Sequence, residues 1–403
     1  MKNRIHKRLT TGYVEMILNA FNERRLTERQ ACKLLEINRS RFYELRKQWL
    51  VASIRNLPFA LWNRGKSDFH KLPDKVQKWL HNELRYIRNE ADVFRGIFNF
   101  ALLAEELQKE FGETFHRNTL RRFALRHGYY HKLPEEKTKV YTRFEMTAPG
   151  MLYQHDSSHH HWIPLIEGKQ SLILSKDDHS RVIVGGNLTL VETAYEHLKT
   201  VKETIEVYGC PLAYSVDNHS IFRYVGYAGR HFHYHKKPDE GEQQFKRALG
   251  ELGIGLIYTG KGEAQAKGKI EKAFDYFQRR IPYLCEKYRV SSIQEADKIL
   301  RDSISFYNEQ RVHEETGEIP IKRWQVAEKE GKIRTRSLKP EDNLDMVFSL
   351  QEERTVKKDG TISFLGQLWK VGKCAGERVT VCYVPDEKIT IVKDKHQICQ
   401  YRL

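Results

Sequence analysis

The sequence predicts a chain of several domains: an all-helical N-terminal part, a central α/β core with a mixed sheet, and a small C-terminal β-barrel. The chain has 403 residues, more than one hydrophobic core usually supports. Apolar residues recur with helical spacing before residue 130, whereas residues 355–403 form short β-rich runs between Gly, Pro and Asp turns. The predicted segments are a first helical module 1–52, a second 70–130, a linker 131–147, the core 148–328 with an insertion 223–241, and the barrel 345–403.

The first module contains two helical patterns joined by a short turn. Thr27 followed by Gln30 predicts a capping box at the start of the first helix, with Leu26 and Ala31 in the positions of a hydrophobic staple. The second helix would bury Phe42, Leu45 and Trp49. Its outward face would carry Tyr43 and the candidate DNA contacts Arg39, Arg41, Arg46 and Lys47. This pattern predicts a helix-turn-helix; the alternative is a solvated charged helix without a partner.

A second unit of the same kind follows at residues 73–128. A helix from Ala101 to Phe111 is expected to stop at Gly112, and Asn118 is expected to cap the next one. The outward face of that helix would carry the candidate DNA contacts Arg117, Arg121, Arg122 and Arg126. Two basic modules in tandem would hold a longer DNA site than one.

The core combines strand and helix patterns. Strands are predicted near 151–156, 170–176 and 181–190, at the run ending in Asp217, and at 255–259; helices are predicted near 193–208, 243–252, after 268 and near 291–308. This alternation indicates an α/β layered domain.

Three carboxylates stand where such a core would deliver them to one point. Asp156 and Asp217 end apolar strand-like runs, and Glu271 lies at the start of a helical pattern. A cluster of this kind repels itself unless divalent cations neutralise it, and Mg²⁺ or Mn²⁺ prefer oxygen ligands. Two such ions, about 3.5–4 Å apart, can activate an attacking oxygen and stabilise the leaving oxygen of a phosphodiester.

Simpler roles exist for acidic residues here. Any one of the three taken alone can be a turn former or a helix cap. Asp177 and Asp178 compete for a metal role, but a tight turn between strands explains them. Glu263 is the alternative third ligand; Glu271 is favoured because a regular element holds a ligand better than a Gly-rich loop.

The motifs around these carboxylates resemble the catalytic core of DDE-type transposases and retroviral-type integrases, and most of all bacterial insertion-sequence transposases of the ISNCY type. The resemblance is carried by Asp156-Ser157-Ser158-His159-His160-His161-Trp162, by Tyr214-Ser215-Val216-Asp217-Asn218-His219-Ser220-Ile221-Phe222, and by Gln265-Ala266-Lys267-Gly268-Lys269-Ile270-Glu271.

This resemblance implies a ribonuclease-H-like core in which Asp156, Asp217 and Glu271 bind two Mg²⁺ or Mn²⁺ ions. It also implies an SH3-like C-terminal barrel and assembly into a homo-oligomer on double-stranded DNA. His160 and His219 match family positions near the site, although a buried structural histidine is the simpler role for either.

Two features depart from the family pattern. Asp217 and Glu271 are 54 positions apart, a wider spacing than in compact members, so an insertion must be looped out. Cys32 stands alone in the N-terminal part, and nothing there resembles the paired His and Cys zinc module of retroviral integrases.

Composition favours a nucleic-acid partner. The net charge is +16, from 69 Lys and Arg against 53 Asp and Glu, and such an excess predicts a polyanionic ligand. No run of 18 apolar residues suggests a membrane span, and no apolar signal core follows the N-terminus. We expect a cytoplasmic, nucleoid-associated bacterial protein with six reduced, mostly buried thiols.

The helix that carries Glu271 has two kinds of face. An apolar stripe of Ile270, Ala273, Phe274 and Phe277 is predicted to pack on the sheet. The candidate phosphate contacts Lys267, Lys269 and Lys272 lie elsewhere on the helix. In the insertion, His231, His233 and His235 would share one face of a strand; a basic, aromatic DNA-contacting segment explains them better than a zinc site.

The resemblance therefore implies a transposase that binds element ends, cleaves the 3′ end and transfers the strand into target DNA. The alternatives are a metal-dependent nuclease without strand transfer and a catalytically inactive DNA-binding regulator.

Overall fold

The computed structural model describes residues 5, 8–54, 56–61, 72–90, 98–131, 144–217, 240–259, 264–372, 374–394 and 396–403, without the side chains of 240–243 and 264–267. The chain divides into two compact units. Unit 1 comprises residues 1–138, 180–182 and 302–330, and unit 2 comprises 139–179, 183–301 and 331–403.

The helices and strands follow in chain order. The helices are α1 (Thr11–Asn22), α2 (Glu28–Leu35), α3 (Arg39–Ile54), α4 (Asp74–Asn89), α5 (Phe100–Phe111), α6 (Arg117–Arg126), α7 (Ala194–Tyr208), α8 (Glu240–Glu251), α9 (Ala264–Gln278), α10 (Ile281–Lys287), α11 (Ile293–Glu309), α12 (Pro320–Lys329) and α13 (Leu344–Val347). The strands are β1 (Leu152–His160), β2 (Gln170–Asp177), β3 (Ile183–Thr189), β4 (Ala213–Val216), β5 (Gly255–Tyr258), β6 (Leu350–Thr355), β7 (Thr361–Phe364), β8 (Gln367–Lys370), β9 (Arg378–Val384), β10 (Lys388–Lys393) and β11 (His396–Arg402).

The predicted start of α2 is confirmed. The Thr27 hydroxyl accepts from the Gln30 N–H, and the Gln30 side chain accepts from the Thr27 N–H at 2.8 Å. Ala31 is fully buried, and Leu26 packs against the same core. Residues 36–38 separate α2 from α3, so the two predicted helices and their turn are present.

Arg46 corrects one prediction for α3. The side chain is buried, not directed outward, because position 46 lies four residues after Phe42 and shares the apolar face of the helix. Its guanidinium donates to the Asn22 side chain at 2.8 Å, to the Gly317 carbonyl at 3.1 Å and to the Glu318 carboxylate at 3.1 Å. Arg46 therefore ties α1 and α3 to the segment before α12.

The helix pair α5 and α6 also follows the prediction, with one change. Gly112 ends α5 in the left-handed conformation, at φ 69°. The residue that caps α6 is His116, whose Nδ1 accepts from the Asn118 N–H at 3.2 Å, and not Asn118 as predicted. The core of α6 is as expected, with Leu120, Phe123 and Ala124 buried.

Unit 2 contains the mixed five-stranded sheet, with strand order β3-β2-β1-β4-β5. Strand β2 is antiparallel to both of its neighbours, β1 and β3, whereas β4 is parallel to β1 and β5 is parallel to β4. Every residue of β2 is buried, as expected for an inner strand that is covered on both faces. The mixed sheet and its helices fit a ribonuclease-H-like core.

Helices cover the two faces of this sheet. On one face α7 packs against β3, where a Cβ atom at Gly185 would overlap the side chain of Thr204; glycine is needed for this close approach. On the other face α9 lies against β1 through its apolar stripe. As predicted, the buried residues are Ile270, Ala273, Phe274 and Phe277.

The last part of unit 2 is rich in β-structure. All five predicted strands are present, and β6 was not predicted. Strands β11-β10-β9-β6 form one sheet, and β7 and β8 form a separate hairpin. Strand β6 is polar and lies at the edge of its sheet. An edge strand pairs on one side only, so its sequence shows only a weak alternation of apolar and polar residues. Closure into an SH3-like barrel stays a prediction.

Three further findings bear on the sequence predictions. All six cysteines are free, and Cys210, Cys285 and Cys382 are buried. Within the described ranges, no helix has the length and apolarity that crossing a bilayer requires. Most of the linker 131–147, the histidine-containing insertion, His219 and Glu263 lie outside the described residues.

The burial of Arg46 leads to a stability prediction. Arg46→Met should lower the free energy of unfolding by about 2 kcal/mol, because three buried hydrogen bonds are lost while Asn22 and the Gly317 carbonyl lose their donor. Urea denaturation of the full chain measures this change. Arg41→Met, which removes only an exposed ion pair with Glu44, should change it by less than about 0.5 kcal/mol; equal effects would contradict the buried role.

Candidate functional site

Strand register brings Asp156 and Asp217 together. In the parallel pair β1–β4, Gln154 stands opposite Ser215. Continuing the same register by two residues would set Asp156 opposite Asp217, which directly follows the last residue of β4. Residues opposite each other on neighbouring parallel strands project from the same face, about 4.8 Å apart in the hydrogen-bonding direction. Both aspartates are half-buried.

Two hydrogen bonds hold α9 along the same face of β1. The Ile270 N–H donates to the Gln154 side chain at 3.2 Å, and the Gln278 side chain donates to the Ser158 hydroxyl at 3.1 Å. Gln154, Asp156 and Ser158 alternate along the strand and therefore share a face. From residue 270 to 278 the helix rises about 12 Å, and from 154 to 158 the strand rises about 13 Å. Helix and strand thus run side by side past Asp156.

Glu271 lies on the part of α9 that faces this stretch of β1. It follows Ile270 directly and precedes Gln278 by seven residues, so Glu271 and Gln278 share one side of the helix. Its side chain is exposed. The helix begins at Ala264, so Glu271 stands in the middle of α9 and not at its start as predicted.

The three carboxylates are not gathered into a closed metal site in this conformation. Across the described residues, no three His, Cys, Asp or Glu side chains are grouped closely enough to hold a metal ion. The donor set fits a hard divalent cation, because carboxylate oxygens are the ligands that Mg²⁺ and Mn²⁺ prefer. Asp156 is held in the backbone ladder of β1, Asp217 directly follows β4, and the Glu271 side chain is exposed.

Asp178 and Lys269 form a buried ion pair beside the anchor of α9. The Lys269 ammonium lies 2.5 Å from the Asp178 carboxylate, and these side chains are 10% and 0% exposed. Lys269 also lies over the Phe144 ring, 5.3 Å from its centroid. The Lys269 side chain is therefore not directed outward as predicted, because its charge is paired with Asp178 inside the protein.

The Asp177 and Asp178 side chains have structural partners. Asp177, the last residue of β2, accepts from the Gly150 N–H at 2.9 Å. Asp178 accepts from the Met146 N–H at 2.8 Å and from the Gln154 side chain at 2.8 Å. The structural interpretation favoured over a metal role is thus supported, although Asp177 belongs to a strand and only Asp178 opens the turn.

The other candidate DNA contacts differ in exposure. Lys272 is exposed, and the Lys267 side chain lies outside the described residues. On α3, Arg39 is exposed and pairs with Glu28 at 3.2 Å, and Lys47 is half-buried. On α6 the exposed cations are Arg117, Arg122 and Arg126. Arg121 is half-buried and stacks over the Tyr130 ring at 5.5 Å.

The opposite face of β1 carries a chain of buried hydrogen bonds that the sequence did not reveal. His155 Nδ1 shares a hydrogen bond with the Ser175 hydroxyl at 2.8 Å, and His155 Nε2 lies 2.9 Å from His197 Nδ1. His197 Nε2 in turn lies 2.8 Å from the Glu192 carboxylate. Burial, together with the nearby His197, lowers the pKa of His155 well below its usual range, so this ring is neutral at pH 7.

Glu192 lies at the other end of this hydrogen-bond network. Its carboxylate accepts from the Ser157 hydroxyl at 2.6 Å and pairs with His159. Burial alone would raise the pKa of Glu192, but the hydrogen bonds from His197 and Ser157 and the two histidine charges outweigh it and lower this pKa from 4.5 to about 2. The residues come from β1, β2 and the start of α7, so no sequence spacing could have indicated the cluster.

His160, on the face of β1 that carries Asp156, is buried at the strand end. Its ring packs edge-on against Trp162, with ring centroids 5.4 Å apart. This contact supports the structural role that the sequence already favoured for His160.

Two curated relatives share sequence with this chain, and no family model matches it. The transposase for insertion sequence IS1202 of Streptococcus pneumoniae is 23% identical over 324 residues, which cover 73% of this chain and 67% of the relative. A predicted transposase of Sinorhizobium fredii, y4bF, is 29% identical over 187 residues, which cover 46% of this chain and 38% of the relative. The second match thus spans less than half of that relative's length.

Solved structures of retroviral integrases also match. The catalytic core domain of HTLV-2 integrase, in complex with magnesium, aligns with a TM-score of 0.32 and 16% identity over 45% of this chain and 97% of that domain. The simian T-cell lymphotropic virus intasome aligns with a TM-score of 0.34 and 14% identity over 73% of this chain and 93% of that chain.

The mixed sheet with two aspartates on neighbouring strands fits the ribonuclease-H-like class of cores. The proteins that share sequence with this chain are transposases, one of them from an insertion sequence. Their similarity supports the DDE transposase and integrase superfamily inferred from the motifs.

The low pKa of Glu192 gives a pH prediction. A carboxylate whose pKa is lower in the folded than in the unfolded state stabilises the fold above the unfolded value, and this contribution is lost as the pH falls through the folded value. The stability that Glu192 provides should therefore disappear between pH 4.5 and about 2. Urea denaturation at several pH values should show wild type approaching Glu192→Gln in this window.

The control for this measurement is Glu167→Gln, at an exposed position of the turn before β2. Its unfolding free energy should run parallel to wild type across the window. A Glu192→Gln curve that is equally parallel would show that the buried network does not depend on the ionised carboxylate.

Proposed function

We propose that this protein is a transposase that binds the ends of an insertion element, cleaves the 3′ end and joins it to target DNA. The proposal depends on one observation, the parallel register of β1 and β4, which would set Asp156 opposite Asp217 on the face of β1 that α9 follows. The transposase relatives support a role in transposition. The acidic site and the +16 net charge support DNA as the substrate.

In this proposal Asp156, Asp217 and Glu271 hold two Mg²⁺ or Mn²⁺ ions. Bound there, the ions would activate the attacking oxygen and stabilise the leaving oxygen of the phosphodiester. Asp156, Asp217 and Glu271 would supply the carboxylate oxygens that hold these ions.

Two successive phosphoryl transfers use the same carboxylates. Water attacks the phosphodiester at the element end and releases a 3′ hydroxyl, and that hydroxyl then attacks a target phosphodiester in line. No covalent enzyme intermediate is required, because each step exchanges one oxygen nucleophile for one oxygen leaving group. Two element ends must be paired before joining, so the active form is proposed to be a homo-oligomer on DNA.

Substitution of the carboxylates tests the mechanism. Asp156→Asn, Asp217→Asn and Glu271→Gln should each abolish cutting and joining of labelled element ends with plasmid target and Mn²⁺, while end binding persists. Asp275→Asn is the matched control, since this exposed carboxylate stands one turn along the same helix and pairs with Arg279 at 2.8 Å; it should retain activity. Joined product from Asp217→Asn would remove that residue from the mechanism.

The same assay separates the competing functions. Joined product supports a transposase, and cut product without joining indicates a nuclease. DNA that is retarded in a gel but chemically unchanged indicates a regulator that has kept the fold without the activity.

The arginines of α6 are proposed to contact phosphates of the element end. A variant with Arg117→Gln, Arg122→Gln and Arg126→Gln should bind end DNA more weakly, and the dependence of log affinity on log salt should fall by roughly 0.9 for each phosphate contact removed. Fluorescence anisotropy over a range of salt concentrations measures this. Arg289→Gln removes another exposed cation, which pairs with Glu286; an equal change of slope per charge removed would show that the α6 effect reflects net charge alone.

A further inference from the structure

We infer that the buried ion pair of Lys269 and Asp178, joined by Gln154, positions Glu271 for metal binding. This inference rests on the proposed function, because it assigns to these residues the placement of a proposed metal ligand. Lys269 is then a positioning residue and not a DNA contact, although it lies two residues from Glu271 on a helix with exposed cations.

Asp178 is the buried acceptor that the other groups of this cluster bind. Its side chain is fully buried. One carboxylate oxygen accepts from the Lys269 ammonium and from the Gln154 amide, and the other accepts from the Met146 N–H. A buried carboxylate is stable when such partners satisfy it. Asp178 belongs to the turn after β2, so the ion pair connects that turn to α9.

Gln154 links the ion pair to the backbone of the helix. Its amide nitrogen donates to Asp178 at 2.8 Å, while its amide oxygen accepts from the Ile270 N–H at 3.2 Å. Gln154 stands two residues before Asp156 on the same face of β1. The Gln154 side chain therefore connects β1, the strand that carries Asp156, to Ile270, the residue before Glu271.

A second buried lysine holds the helix from β2. The Lys176 ammonium donates to the Lys269 carbonyl at 2.9 Å, and Lys176 is 1% exposed. Helix α9 is thus held at these positions through the Lys269 carbonyl, the Lys269 ammonium and the Ile270 N–H.

These contacts determine where Glu271 points. Residues two apart on an α-helix project about 200° apart, since each residue turns the helix by about 100°. Fixing the Lys269 side chain against the turn therefore sets the rotation of α9 that directs Glu271 to the other side. A rigid support of this kind is what a metal ligand requires, because small displacements of a ligand weaken metal binding.

Lys272 provides the matched contrast. It lies three residues after Lys269 on α9 and is exposed, whereas Lys269 is directed into the protein. Lys269→Met and Lys272→Met remove the same charge from the same helix. If Lys269 positions Glu271 and Lys272 contacts DNA, the first variant should lose metal affinity and the second should lose DNA affinity.

The experiment compares these variants by three measurements on the full chain. They are Mn²⁺ titration of the DNA-free protein followed by electron paramagnetic resonance, hydrogen exchange of residues 270–278 without metal, and affinity for end DNA without divalent metal. Lys269→Met should weaken Mn²⁺ binding about tenfold or more, accelerate exchange and leave DNA affinity at the wild-type value. Lys272→Met should lower DNA affinity and leave Mn²⁺ binding and exchange unchanged.

Two further variants guard against simple misfolding. Lys269→Arg keeps the positive charge beside Asp178 and should therefore bind Mn²⁺ more tightly than Lys269→Met does. The double variant Asp178→Asn, Lys269→Met leaves no unpaired buried charge, so it should fold and still show the weakened Mn²⁺ binding and faster exchange.

The inference is wrong if Lys269→Met, or the double variant where Lys269→Met fails to fold, binds Mn²⁺ and exchanges as wild type does. It is also wrong if Lys269→Met loses DNA affinity as Lys272→Met does. Failure of the proposed function is distinguishable, because wild type would then neither cut nor join DNA. In that case hydrogen exchange at 270–278 alone decides whether the ion pair holds α9.

Discussion

The register of one pair of parallel strands is the constraint on which the candidate site depends. Because β1 and β4 pair with Gln154 opposite Ser215, two aspartates become neighbours on one face. Two carboxylates so placed repel each other unless a cation or a proton reduces their charge. A shift of one residue would turn Asp217 to the other face. The register of the two strands would thus supply the placement, and the like charges would supply the proposed affinity for divalent ions.

Strand β1 serves both faces of the sheet. On one face Gln154 and Ser158 bind α9, and on the other His155 and Ser157 join the network that ends at Glu192. Each network consists of buried or half-buried polar groups with partners from distant segments, and such networks specify one arrangement because a missing partner is costly. The strand that carries Asp156 is therefore held from both sides, which suits a residue proposed to bind a metal ion.

The distribution of charge separates supporting residues from exposed ones. The chain has a net charge of +16, yet Arg46, Lys176 and Lys269 are buried and bound to carbonyl, amide or carboxylate groups. These cations connect helices and strands to one another and are not accessible to a polyanion. The cations of α6, with Lys272 on α9, remain at the surface. An excess of basic residues predicts a polyanionic partner, but burial decides which of them are available to it.

The sequence by itself determined the strands of the core sheet, the capping box at Thr27 and the apolar stripe of α9, because these follow from local periodicity and turn chemistry. Its motifs also singled out the three carboxylates proposed to bind metal. It did not determine the direction of Arg46 or Lys269, or the network of His155, His197 and Glu192. These depend on partners that are distant along the chain, and helical or strand periodicity gives the face of a residue without saying what covers that face. Only the tertiary structure brought Gly317 to Arg46, Asp178 to Lys269 and α9 to β1.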